Sequence, residues 1–186
     1  LELPSSFDIS NRQVVYRPVG NLNRENLDGQ LGKLVRAIRD ILDRHKDQRV
    51  LIHSVSYSLG TKLYESLSSL SRPVFFHRSS EGKRQAMERY MSHPDAVIIS
   101  PSLERGADLK DDLCRAIVWT KVPYPSLGDK FTSLRFYSSR FGRLWYKYQA
   151  AYTLVQGAGR GVRHQGDWAV TYILDGQFER LLRDRA

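Results

Sequence analysis

Apolar residues in this chain fall in short clusters whose period changes along its length. From Leu27 to His45, Leu31, Leu34, Val35, Ile38, Ile41 and Leu42 recur every three or four positions, which predicts an amphipathic helix with a polar outer face. Val50-Leu51-Ile52-His53 breaks that period with a compact β-favouring run, and Leu59, Leu63, Leu67 and Leu70 restore helical spacing from Tyr57 to Leu70. The cycle repeats, with Pro73-Val74-Phe75-Phe76 reading as strand, Glu81 to Met91 as helix and Ala96-Val97-Ile98-Ile99 as strand. Two more apolar runs follow: Ala116-Ile117-Val118-Trp119 after a polar loop, and Ala169 to Leu174 after a long helical stretch that includes Leu144 to Val155. Residues 1 to 26 read as an irregular lead-in, with a short β-like run at Val14-Val15-Tyr16 closed by Pro18.

Apolar runs of four to six residues alternating with helices predict β-α-β units and a parallel sheet covered on both faces. In such α/β folds function gathers in loops at the carboxyl ends of the strands. That directs attention to Ser54 to Ser58, Ser100 to Asp112 and Thr120 to Asp129. With 186 residues and no internal repeat, the chain reads as a single α/β domain spanning residues 1 to 186, its motif-bearing core at about 49–178.

A composition of 41% hydrophobic and 26% charged residues is that of an ordinary globule, but a net charge of +9 is not. A basic surface of this size attracts polyanions, so nucleic acid is the first partner to consider. No apolar run reaches the roughly 18 residues of a spanning helix, so no membrane partner is expected. Leu1-Glu2-Leu3-Pro4 lacks the charged head and apolar core of a signal peptide, and the missing initiator Met suits a piece of a longer chain. One cysteine, Cys114, excludes an internal disulfide, and the five histidines show no metal spacing. A cytoplasmic location and no metal site are the expectations.

Chemistry concentrates near the end of the chain. From Lys130 to Gly166 there is no acidic residue, while Lys130, Arg135, Arg140, Arg143, Lys147, Arg160 and Arg163 are all cationic. Phe131, Phe136, Tyr137, Phe141, Trp145, Tyr146, Tyr148 and Tyr152 are interleaved with them, a mixture suited to a groove that holds phosphates and stacks bases. The helical spacing of Tyr148, Tyr152 and Val155 predicts that these three are core. His53, beside a strand, is expected to be a partly buried, hydrogen-bonded ring. Ser54, Ser56 and Tyr57 offer hydroxyls for capping or for phosphate contact.

Gln156-Gly157-Ala158-Gly159-Arg160-Gly161-Val162-Arg163 sets two arginines three apart at a glycine turn. Two rigid guanidinium forks so spaced can grip a triphosphate from one side. The chain holds no phosphate-cradling G-x-x-x-x-G-K-[ST]; Gly60-Thr61-Lys62 has the wrong order. A dinucleotide-binding reading also fails, because a helix leads into the glycines and Val162 stands where a third glycine is needed. The arginines read as half of a site.

Three strings in order resemble one known pattern. Leu51 to Tyr57 resembles helicase motif IV; Ser100 to Leu109, with the following Arg115 to Trp119 and Lys121 to Pro125, resembles motif V and its strand; Gln156 to Arg163 resembles motif VI in its Q-x-x-G-R-x-x-R form. Together they resemble the C-terminal RecA-like domain of superfamily 2 DNA helicases of the XPD/DinG type. The resemblance implies a RecA-like α/β fold of the P-loop NTPase type without its own Walker A loop. It implies ATP with Mg2+, held mainly by an N-terminal RecA-like domain of the same parent chain, and single-stranded DNA traversed in the 5′ to 3′ direction. Arg160 and Arg163 would be arginine fingers and Gln156 would contact the nucleotide side. Gly106, Asp108 and Gly159 would serve the nucleotide, while Ser54, Ser56, Tyr57 and Ser102 would lie along the DNA. The family has an acid directly before the motif V glycine, where this chain has Arg105 preceded by Glu104, so no role carries over to either. The residues leave two other readings open: a non-enzymatic single-stranded nucleic-acid-binding α/β module, and a basic scaffold that recruits proteins.

Overall fold

In a computed structural model, residues 8–23, 25–101, 109–138 and 140–183 are described. Their six strands are β1 (Arg12–Gly20), β2 (Val50–His53), β3 (Val74–Phe76), β4 (Val97–Ser100), β5 (Ala116–Trp119) and β6 (Ala169–Asp175). They form one sheet in the order β1-β6-β5-β2-β4-β3, with every pairing parallel. The helices are α1 (Leu27–Arg44), α2 (Tyr57–Leu67), α3 (Lys83–Met91), α4 (Lys130–Ser138), α5 (Gly142–Ala158) and α6 (Phe178–Arg183).

Successive strand residues point to opposite faces, and the buried strands divide accordingly. Val50, Ile52, Val97, Ile99, Ala116 and Val118 pack with Leu34, Ile38 and Ile41 of α1 and Leu59, Leu63 and Leu67 of α2. Leu51, Ile98, Ile117, Trp119 and Ile173 pack with Ala86 and Tyr90 of α3 and Ala150 and Leu154 of α5. Both faces are covered, as the uninterrupted apolar runs predict. The expected helix from Tyr57 to Leu70 stops at Leu67, where the Ser68 N–H closes the last turn on the Tyr64 carbonyl.

Part of the expected irregular lead-in is strand. β1 pairs with β6 from Arg12 opposite Ala169 to Tyr16 opposite Ile173, then again at Gly20 opposite Asp175 after a shift in register. Pro18 falls inside that shift, and β1 is an edge strand. A residue with no N–H is tolerated there because the ladder does not require its donor. The apolar signal was short because Arg12, Gln13 and Arg17 are exposed on this edge.

The long helical stretch before β6 is two helices. A Cβ on Gly142 would stand 2.3 Å from the carbonyl oxygens of both Arg135 and Phe136, so only glycine lets α5 begin so close to the end of α4. Ile52→Ala at the fully buried centre of β2 should cost about 2–5 kcal/mol of stability, measured by urea unfolding.

Candidate functional site

The end of α5 and the short turn Gly159–Gly161 lie flat on β5 and β6 because two glycines allow it. A Cβ on Gly157 would stand 2.2 Å from Cζ2 of Trp119, and one on Gly161 would stand 2.5 Å from the Ala169 Cβ and 3.2 Å from the Cys114 carbonyl oxygen. With these two faces down, Gln156, Gly159, Arg160 and Arg163 line a groove of about 600 Å³. Arg12 and Val14 of β1 and Thr171 of β6 stand in its wall, and among the described residues no acidic side chain lines it. Among the described residues, nothing lies within 4 Å of where a Gly159 Cβ would be, so their packing does not require glycine there.

Asp167, which the sequence reading passed over, holds this segment from beneath. Its buried carboxylate accepts the backbone N–H of Arg163 at 3.0 Å, of Asp111 at 3.2 Å and of Trp168 at 2.9 Å, and takes the Arg115 guanidinium at 2.8 Å. Burial by itself would raise its pKa. The Arg163 and Asp111 amides and the Arg115 guanidinium outweigh that and hold it below the ordinary carboxylate value. Arg115 also donates to the Trp168 carbonyl at 2.7 Å and lies over the Trp168 ring, 4.9 Å from its centroid. Oxygens of Asp111 and Asp167 and a ring nitrogen of His164 lie within 4.8 Å of one another, but Arg115 already supplies the positive charge there. Asp167 is the first acid after the long basic stretch, and that position was its only sequence signal.

His53 differs from its expectation. Its ring is fully buried and stacked on Trp119, centroids 3.9 Å apart and planes 13° from parallel. Neither ring nitrogen of His53 nor Nε1 of Trp119 has a hydrogen-bond partner. Burial first, and then the positive charge of Arg160, lower the imidazole pKa to about 3, so the ring is neutral. A stacking surface, rather than a hydrogen bond, has claimed this histidine.

At the carboxyl ends of β2, β3 and β4 the hydroxyls take distinct roles. Ser54 is buried and donates to the Ser56 carbonyl at 3.1 Å, while Ser56 is exposed and its Oγ caps α2 by accepting the Leu59 N–H at 3.3 Å. Val55 between them has φ +63°, the left-handed region that a β-branched residue rarely occupies. Tyr57 is exposed, with its ring edge-on to His77 at 5.9 Å. His77 Nε2 in turn lies 2.7 Å from Ser100 Oγ, a contact that sequence reasoning missed. Ser102, Gly106 and Asp108, with Glu104 and Arg105, lie outside the described residues.

The expectation that Tyr148, Tyr152 and Val155 are core is overturned, since they are 62%, 43% and 67% exposed. Gly142, Ala150, Leu154 and Gly157 face the sheet instead. α5 carries two stripes at helical spacing, and the one with small residues is inside because it permits the close approach at Trp119. Periodicity alone does not say which stripe faces inward. Among the outer side chains, Arg135 lies 4.5 Å from the centroid of the Trp145 ring and Arg140 4.5 Å from that of Phe141.

Residues 38–184 match the sequence profile described as the helicase C-terminal domain. The chain belongs to that family. Among curated proteins, this helicase C-terminal domain is 28% identical over 182 residues to the ATP-dependent DNA helicase YoaA of Escherichia coli, covering 94% of this chain and 28% of that protein. The chain therefore spans less than a third of the length of that relative. A solved XPD helicase superposes with a TM-score of 0.69 at 20% identity, over 92% of this chain and 33% of that one. The C-terminal domain of the DEAD-box protein Dbp5 superposes with a TM-score of 0.54 at 12% identity, over 94% of this chain and 83% of that one. These likenesses bear out the RecA-like fold and the resemblance to XPD/DinG-type helicases. Among the described residues, no helix is long and apolar enough to cross a membrane.

Two outcomes follow from this geometry. Gly157→Ala should destabilise the domain by about 1–3 kcal/mol through overpacking against Trp119, measured as a lower urea midpoint. His53 has a folded pKa of about 3 against about 6.5 when unfolded. The unfolded chain therefore binds a proton that the folded one does not, and stability falls as pH drops through that window. The slope from this ring is about 1.4 kcal/mol per pH unit. His53→Phe, which keeps the stack, should flatten the stability profile between these limits.

Proposed function

We propose that this domain is the second half of an ATP-driven DNA motor, lending Arg160 and Arg163 to a nucleotide site completed by an N-terminal RecA-like domain of the parent chain. The observation that carries the reading is the joint presence of Gln156, Gly159, Arg160 and Arg163 on one groove, which no acidic side chain lines among the described residues. The likeness to ATP-dependent DNA helicases supports it. The same groove tests the fit of ATP and Mg2+: its cations suit phosphate oxygens, and among the described residues its wall offers no carboxylate to a divalent ion. The metal would then be held by residues of the other domain and would supply positive charge to offset that of the phosphates.

In this reading Arg160 and Arg163 stabilise the negative charge that grows on the phosphoryl group during transfer. Gln156, one helical turn before Arg160, orients toward the nucleotide and its water. Gly159, where no described residue would touch a side chain, lets the partner domain approach the backbone. Asp167 fixes the Arg163 amide and so acts as a positioning residue.

Single-stranded DNA runs along the carboxyl edge of the sheet, at Ser56 and Tyr57. Ser54 supports that edge by bracing the Ser56 carbonyl, and Ser102, Gly106 and Asp108 are assigned to the motif V loop by resemblance alone. The strained backbone at Val55 suits a loop whose shape serves a ligand. Movement in the 5′ to 3′ direction and an intracellular location accord with the same family.

In the full-length protein, Arg160→Ala and Arg163→Ala should each lower DNA-stimulated ATP hydrolysis by about 10³ or more, read by phosphate release. Residues 1–186 alone should hydrolyse no ATP above background. Near-normal hydrolysis in both variants would sink the motor reading.

A further inference from the structure

Among the described residues, Val55 and Asp111 are the two non-glycine positions with left-handed backbone. Asp111, at φ +55°, opens a short turn, Asp111–Leu113, three residues after Asp108 of the motif V loop. Aspartate tolerates this region better than most residues, but it stays there only where its surroundings hold it. What holds it is the arginine segment. The Asp111 N–H donates to Oδ1 of Asp167 at 3.2 Å, and its own Oδ1 lies 2.8 Å from Nε2 of His164, the residue after Arg163. We propose that Asp111 and His164 form a clip that fixes the aim of Arg163, and that both are positioning residues for phosphoryl transfer. The clip rests on the motor reading for what Arg163 does, and it adds to that reading two residues outside the Gln156–Arg163 string.

The contacts form a closed ring. Asp167 takes the Asp111 amide on one carboxylate oxygen and the Arg163 amide on the other, so a rigid planar group spans the two backbones. His164 follows Arg163 in the chain and returns to Asp111 through its imidazole. One tie lets a segment pivot about it; two in parallel do not. The Asp167 N–H also donates to the His164 carbonyl at 3.0 Å, and Asn11 donates to the Gln165 carbonyl at 2.9 Å. Arg163 and the three residues after it are exposed, whereas Val162 and Asp167 on either side are buried. A solvent-facing turn between two buried ends keeps its shape through the side chains that reach it, and the clip is one of these.

The far side of the clip is itself anchored. Leu109 is buried with Trp119 and Leu154 in one core. Asp112 pairs with Arg115 at 3.0 Å, and its carbonyl accepts the Arg49 guanidinium at 3.0 Å. The Cys114 N–H closes the short turn on the Asp111 carbonyl at 3.3 Å. Asp111 therefore presents its carboxylate to His164 from a stationary mount. An ionised carboxylate only accepts, so Nε2 is the donor, with the ring neutral or charged.

Magnitudes separate this role from a purely structural one. The His164 and Asp111 side chains are 53% and 52% exposed, and a pair so exposed contributes little to folding. Glycine at position 111 would adopt the left-handed backbone without strain. Aim is far more sensitive, since displacing a reacting group by about 1 Å can cost about a hundredfold in rate. Loss of the clip should therefore slow turnover without unfolding the domain.

The test uses the full-length protein and three readouts: phosphate release at saturating single-stranded DNA, urea unfolding, and deuterium uptake of the peptide spanning Arg163 to Asp167. Asp111→Gly and His164→Ala should each lower kcat about tenfold, leave the KM for ATP within about twofold, and keep the urea midpoint. Deuterium uptake from Arg163 to Asp167 should be faster in both, with Val50–His53 unchanged. The double variant should be no slower than either single one, because both remove the same contact. Asp111→Asn, which tolerates the same backbone and keeps an acceptor, should recover most of the rate. His164→Gln, which keeps a donor near the place of Nε2, should do the same. Unchanged uptake in both single variants would overturn the clip, as would a kcat loss that follows a lowered urea midpoint, or losses that multiply in the double variant. So would a normal kcat in both while Arg163→Ala is defective. Near-normal hydrolysis in Arg163→Ala would instead fault the motor reading, and deuterium uptake, which reads no hydrolysis, would still decide the clip.

Discussion

Two side-chain-free contacts, Gly157 against Trp119 and Gly161 against Ala169, govern how much of the remaining surface is arranged. They bring the end of α5 closer to the sheet than any residue with a Cβ could come. Once the helix is that low, its small residues must face inward and its large ones outward, which is why Tyr148, Tyr152 and Val155 are exposed. The same approach seals the His53–Trp119 stack from water and gives the arginine segment a rigid seat. Packing, loss of solvation and the aim of charged side chains thus have one origin.

Buried carboxylates do at the ends of β6 what the glycines do on its face. Asp167, just before the strand, gathers three backbone amides and the Arg115 guanidinium. Asp175, its last residue, accepts the N–H groups of Leu22, Val122 and Gln177. A carboxylate that satisfies several amides stiffens every loop it touches, because freeing any one would leave a buried charge less well compensated. The amino-terminal anchor steadies the arginine groove; the carboxyl-terminal one ties together the exits of β1, β5 and β6.

Much of the fold was legible in the sequence because buried parallel strands and half-buried helices leave strong, distinct periods. Val50–His53 and Ala116–Trp119 were read to the residue, and α1 to within one. β1 was read only as a short run, since its exposed Arg12, Gln13 and Arg17 erase the apolar signal and Pro18 argues against a strand. The arginine segment was legible from its spacing and from what the chain lacks. The partners beneath it were not: Asp167 meets Arg115 across 52 residues, and no local pattern announces a contact of that range. The inward face of α5 was misread because two stripes share a period, and only the third dimension chooses between them.

The outer strands have a consequence for assembly. At one margin Pro18 interrupts the ladder of β1 and shifts its register; at the other, β3 is three residues long. An incoming strand would find a broken row of donors on one side and too short a row on the other. Lateral growth of the sheet is discouraged at both margins, and that channels association toward the ends of the strands and the outer surfaces of the helices. In the motor proposed above this matters, because a neighbour joined through backbone ladders would not readily let go.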